Sequence, residues 1–165
     1  MTSTGTPQDW APDDPVRGRM IFVSGTCAPT TIDQLTPALE LYQGGCVPQL
    51  RERLGGSPEH RARIRLLCAG RGVLHADTQL FADHQPMTQQ RSAQLRLYVR
   101  EKLLTEFAHD GVPREVLVAA EPLYAQLVTD IFWIADLRPY STLHTTLPAQ
   151  HWPHTAAVLD RWGWP

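Results

Sequence analysis

The chain has 165 residues, 42% of them apolar, and carries a formal net charge of −2 with a pI near 6.4. That is enough apolar surface for one core and too little positive charge to neutralise a run of phosphates, so polymeric nucleic acid is disfavoured as an obligate partner. No stretch reaches the roughly 20 apolar residues of a membrane span, and three widely spaced cysteines do not make a disulfide framework.

Residues 1–18 (MTSTGTPQDWAPDDPVRG) are polar, acidic and rich in proline and glycine. They predict a flexible arm rather than a signal peptide, with the lone Trp10 available to dock on the body, and the expected compartment is the cytoplasm. Residues 19–165 are expected to form a single domain. RMIFVSG (19–25) predicts a short buried strand stopped by Ser24-Gly25. QLTPALELYQGGCVPQLRERLGG (34–56) has helical spacing at Leu39, Tyr42, Val47, Leu50 and Leu54, interrupted at Gly44-Gly45. Pro37 and Pro48 suit first turns, so two short helices are expected.

The basic stretch RERLGGSPEHRARIR holds Arg51, Arg53, Arg61, Arg63 and Arg65 with glutamates interleaved, the pattern of a solvated rim. No aromatic residue alternates with its charges, which argues against a single-strand track. ARIRLLCAG (62–70) predicts a second buried strand ended by Gly70. TQQRSAQLRLYVREKLLTEFAHDG (88–111) predicts a long helix capped by Thr88 and stopped by Gly111. REVLVAAE (114–121) predicts a third buried strand, PLYAQLVTDIFWIA (122–135) the helix after it, and HWPHTAAVLDRWGWP (151–165) a short closing helix with Trp152 and Trp162 on its packed side.

Continuous apolar strands separated by helices predict an α/β domain, with a mostly parallel or mixed central sheet flanked by helices on both faces. Ligands of such sheets bind at the carboxyl ends of the strands. Here those ends read Ser24-Gly25, Ala69-Gly70-Arg71 and Ala120-Glu121.

No metal-ligand spacing occurs, nor GxGxxG after the first strand, GxxxxGK[ST] or GxSxG, so no metal and no cofactor is expected. In VSGTC, Ser24, Thr26 and Cys27 follow the first strand. They can hold an anion or a nucleobase edge, or form a turn with Cys27 packed as a small apolar residue. Tyr42 precedes two glycines and can border a ligand or serve as core. Gly70 and Gly72 free the chain around Arg71, whose guanidinium can face a phosphate or a carboxylate. Asp77 can accept from a sugar hydroxyl or work as an acid/base. It can equally pair with Arg71 and form an Asx turn. His84, after Asp83, can shuttle a proton or only meet water.

PALELYQGG resembles the proline–alanine–x–x–leucine–tyrosine–x–glycine segment of the bacterial family related to the peroxide-stress protein YaaA. LLCAGRGVLHADTQL is similar to the family's leucine–serine–alanine–x–x–glycine–leucine–leucine–x–proline–aspartate segment. Ala69 falls on the alanine, Gly72 on the glycine and Asp77 on the acid. VSGTC resembles its VSC or ISC, with Ser24 matching and Cys27 displaced along the chain, and AAEPLY places Tyr124 on a late family tyrosine. Where the family continues to proline–tyrosine–aspartate, this chain has Ala82, Asp83 and His84, and APTTID replaces lysines after the first strand.

The resemblance implies a compact glycosylase-like α/β domain working on nucleobases, nucleosides or nucleic acid at an N-glycosidic bond. The lost lysines and aromatic shift that expectation from polymeric DNA to a small nucleoside or nucleotide. The expected protein is a hydrolase or transferase, with Asp77, Asp83 and His84 as its catalytic groups. Ser24, Cys27, Tyr42, Gly70, Arg71, Gly72 and Tyr124 would bind the substrate. The alternative is a non-catalytic nucleotide- or nucleic-acid-binding stress-response domain. Either reading expects Ser24, Arg71, Asp77 and Tyr124 to gather around one hollow.

Overall fold

Arg19–Ser24 forms β1, a strand whose side chains from Met20 onward are buried on both of its faces. Only a strand between two neighbours and under helices on either side can hide that pattern. In the computed structural model, which describes residues 14–26, 28, 33–82, 84–134, 141–146 and 151–165, β1 is the middle of a five-stranded sheet. β3 (Ile64–Cys68) and β6 (Glu115–Ala119) flank it in parallel, with Val23 opposite Leu66 on one side and Ala119 on the other. β7 (Thr142–Thr145) extends the sheet in parallel beyond β6, and β4 (Gly72–His75) folds back antiparallel on β3, giving the order β4-β3-β1-β6-β7. A two-residue ladder joins β2 (Thr36–Pro37) to β5 (Gln79–Leu80).

Strand alternation sorts the apolar residues into two cores. Ile21, Val23, Ile64, Leu66 and Leu117 face α1 (Ala38–Leu41), α2 (Val47–Leu54) and α6 (His151–Trp162). Met20, Phe22, Leu67, Val116 and Val118 face α4 (Gln89–Asp110) and α5 (Pro122–Ile134). The domain is therefore α/β, with a mixed sheet covered on both sides. α4 starts where Thr88 Oγ1 accepts the Arg91 N–H at 3.0 Å, and ends where Gly111 takes a φ of 92°.

The basic stretch is not a solvated rim. α3 (Pro58–Arg61) lies within it, and its arginines hold the fold together. Arg51 donates to the Leu39 and Tyr42 carbonyls, both at 3.0 Å, and Arg53 to the Pro165 carbonyl at 2.6 Å. Arg63 Nε reaches the Arg19 carbonyl at 2.8 Å. Arg65 points into the α4 side of the sheet, where it is 2% exposed and pairs with Glu106 of α4. At the N-terminal edge, Asp14 accepts from the Val16 and Arg17 N–H groups at 2.9 Å, so ordered chain precedes Arg19. Trp10 lies outside the described residues. Trp162 and Trp164 are buried, and Trp152 is partly buried against the same core.

Removing one member of a buried ion pair strands the other charge, at a cost of about 3–5 kcal/mol. Glu106→Gln is therefore expected to lower the unfolding free energy by roughly that amount in denaturant titrations, whereas a change below about 1 kcal/mol would show that solvent already screens the pair.

Candidate functional site

The parallel register of β1 and β6 carries Ser24 to the residues just after Ala119. There the Ser24 hydroxyl donates to Glu121 Oε2, and Ser24 Oγ accepts the Glu121 N–H at 3.2 Å. The exchange is reciprocal and fixes both groups. Ser24 is 2% exposed and Glu121 is half-buried. Glu121 also opens α5, its carbonyl accepting from Tyr124 and Ala125 N–H at 2.9 and 2.8 Å. Its carboxylate thus lies beside a helix N-terminus, where negative charge is favoured.

A histidine joins this pair from the far end of the chain. His151 begins α6, and with Thr155, Leu159 and Trp162 it forms the inward stripe of that helix. Its Nδ1 hydrogen-bonds the Thr146 hydroxyl, and Thr146 is tied to β6 by its N–H to the Val118 carbonyl at 3.2 Å. Its Nε2 is buried and has no hydrogen-bond partner among the described residues. Burial pushes the His151 pKa below the ordinary value, and the Glu121 charge only partly opposes this. The imidazole is therefore neutral at pH 7, with one nitrogen committed and one available.

Cys46, next to the first turn of α2, completes the cluster. Burial pushes its thiol up to about 11, the nearby Thr155 hydroxyl opposes the shift, and the Glu121 charge adds to it. Such a thiol is protonated and is a poor nucleophile. The segments carrying these groups are fastened to the end of β1. Gln43 and Gly44 N–H donate to the Thr26 carbonyl at 3.3 and 3.1 Å. The Tyr42 ring lies so close to Gly25 that a Cβ there would stand 3.0 Å from it.

The sequence candidates separate in space. Ser24 and Tyr42 belong to this end of the sheet, but Tyr42 is 1% exposed and packs in the α2–α6 core. Tyr124 packs against the opposite core, so the two tyrosines do not face one ligand. Gly70, Arg71 and Gly72 make the β3–β4 turn, beyond β3 at the sheet's edge. Asp77 follows β4, whose reversed direction carries it toward the opposite end of the sheet. There its Oδ1 accepts from Arg61 Nε and Nη2 at 3.0 and 2.6 Å, while Arg61 also holds both oxygens of Glu40.

Asp77 is thus an ion-pair partner, of Arg61 rather than of Arg71. Of Ser24, Arg71, Asp77 and Tyr124, which were expected around one hollow, only Arg71 lines the cleft beside α4. His84 is exposed on the loop between β5 and α4. Cys27 and Asp83 lie outside the described residues. Glu121 and His151 were not among the sequence candidates, although an acid directly after a parallel strand was a visible signal for the first. Among the described residues, no group of three or more histidines, cysteines and acids is placed to hold a metal, and no helix is long and apolar enough to cross a membrane.

Burial lowers the pKa of His75 as well as that of His151, with Arg65 reinforcing the effect at His75. Both therefore bind protons less readily folded than unfolded. Native stability is complete above the ordinary histidine value of 6.5 and declines as pH falls below it, until each folded-state pKa has been passed. Urea midpoints taken from about pH 8 down to about pH 5 are expected to fall on the acid side. His151→Asn should remove part of that slope and His75→Asn a further part. A slope unchanged in both variants would refute the assignment.

The chain matches no protein-family model, and no curated protein or solved structure matches it either.

Proposed function

We propose that this protein acts on a small nucleobase-containing substrate at its N-glycosidic bond, as a hydrolase or transferase. The observation that carries the reading is the reciprocal Ser24–Glu121 pair at the carboxyl ends of β1 and β6, with the free Nε2 of a neutral His151 in the field of the same carboxylate. The family resemblance along 20–127 points to the same chemistry.

An N-glycosidic bond breaks with its electron pair leaving on the base, so positive charge develops at the sugar. A fixed carboxylate stabilises that charge more than it stabilises the neutral substrate, which is the requirement for catalysis. Glu121 takes this role in place of Asp77. The Ser24 hydroxyl holds one of its oxygens in a set orientation and leaves the other for the sugar or for the attacking nucleophile. In hydrolysis, water adds to the sugar carbon and gives up a proton to the carboxylate. In transfer, an acceptor hydroxyl or amine does the same. His151 Nε2 meets the base as hydrogen-bond donor or acceptor according to the tautomer set by Thr146, and the departing nitrogen gains its proton from solvent.

Incubation with a panel of nucleosides and nucleoside monophosphates, followed by chromatography, should show release of the free base. Glu121→Gln keeps a hydrogen-bond acceptor for Ser24, so it should fold normally and lose on the order of 100-fold or more in turnover. Ser24→Ala should lose about tenfold, the value of one orienting hydrogen bond. Normal turnover in Glu121→Gln removes the carboxylate from the mechanism. A panel member that raises Tm without any release of base would establish the non-catalytic binding domain instead.

A further inference from the structure

A second polar region lies on the other side of the β3–β4 hairpin. A cleft of about 420 Å³ opens between the turn at Gly70–Arg71, the edge strand β4 and the first half of α4. Arg71, Arg91 and Lys102 line it, together with Thr78 and Tyr98, and no carboxylate does. In a chain of net charge −2, that concentration of positive charge is local and specific.

Two of the cations are held in place by backbone carbonyls. Arg91 Nε donates to the Ala69 carbonyl at 2.7 Å and its Nη2 to the Gly70 carbonyl at 3.2 Å. Lys102 Nζ donates to the Val73 carbonyl at 3.1 Å and stands 5.7 Å from the centre of the Tyr98 ring. None of these contacts neutralises a charge. Arg71 is exposed and makes no ion pair among the described residues, which distinguishes it from the arginines at 53, 61 and 65.

The floor is rigid. Gly72 takes a φ of 79°, and a Cβ there would stand 2.8 Å from Val99, so the hairpin packs directly on α4. Leu74 and Leu95 close the bottom, and Tyr98 presents a ring that is 50% exposed.

We infer that this cleft binds a diphosphate-bearing small molecule. Arg71, Arg91 and Lys102 would take the phosphates, and the wall formed by Leu95 and Tyr98 would take the apolar or planar part. More than one cation approaching from different elements suits an anion with several charged oxygens better than a single carboxylate does. The inference does not rest on the reaction proposed at Glu121, because none of the cleft residues belongs to that cluster and the readout is binding alone.

The test is calorimetric titration of the full chain with inorganic pyrophosphate, inorganic phosphate and adenosine diphosphate at low salt. Saturable one-site binding of pyrophosphate and of adenosine diphosphate is expected, each tighter than inorganic phosphate. Arg71→Glu should weaken both by at least about tenfold, and Lys102→Gln should weaken both several-fold, as expected for lost charge-assisted contacts. The wild-type melting temperature of each variant serves as the folding control. Absence of saturable binding overturns the inference. So does unchanged affinity in the two variants, or equal affinity for phosphate and pyrophosphate. A duplex oligonucleotide that binds where pyrophosphate fails would also overturn it, in favour of a polymer surface.

Discussion

The pairing of β1 with β6 is the constraint from which the rest follows. β1 is buried on both faces and has no tolerance for a shifted register, because a slip of one residue would exchange Ile21 and Val23 with Met20 and Phe22 between the two cores. With Val23 held opposite Ala119, Ser24 has nowhere to go but the turn that begins α5, and there it meets Glu121. The polar pair is therefore a consequence of apolar packing. The same register sets the height of Val118, to which Thr146 is tied, and hence the position at which His151 enters the cluster.

The arginines divide into two populations that composition alone merges. Those at 51, 53, 61, 63 and 65 spend their donors on the protein itself, on the carbonyls of Leu39, Pro165 and Arg19 and on Glu40, Asp77, Glu106 and Asp160. α1 and α3 have four residues each, too few to satisfy their own ends, so side-chain donors from neighbouring elements substitute for missing turns. Such groups are poor ligand sites because their hydrogen bonds are already made. Arg71, Arg91 and Lys102 differ from Arg53, Arg61 and Arg65 in that no carboxylate among the described residues pairs with them, and from Arg51 and Arg63 in that they line one cleft together.

The sequence was legible where one local pattern sufficed. Continuous apolar runs identified β1, β3 and β6, and the Thr88 and Gly111 signals bounded α4 closely. β4 was hidden because its first residue is a glycine at the tip of a tight hairpin, so its four residues read as a loop around a ligand. β7 was hidden because it is an edge strand with two exposed positions, Thr142 and Thr145, and its apolar content is slight. The partner of Asp77 was hidden for the same topological reason: it is Arg61, before β3, and not the nearby Arg71. The reversal of β4 turns the chain back along β3, toward the residues that precede it. Glu121 and His151 are 30 positions apart by their numbers, and only the pairing of β6 with β7 and the return of α6 bring them together. No periodicity records that.

Within the cluster, environment decides which group can do chemistry at neutral pH. Cys46 is the most nucleophilic type of side chain present, yet with its thiol pushed up to about 11 only about one molecule in ten thousand carries a thiolate at pH 7. Burial is the main cause of that suppression, and the Glu121 charge adds a minor part in the same direction. His151 is held neutral by the same burial, and its protonated form is the one state Glu121 favours. The cluster thus sets the Glu121 carboxylate, fixed by Ser24, in the field of an imidazole whose Nε2 has no hydrogen-bond partner among the described residues.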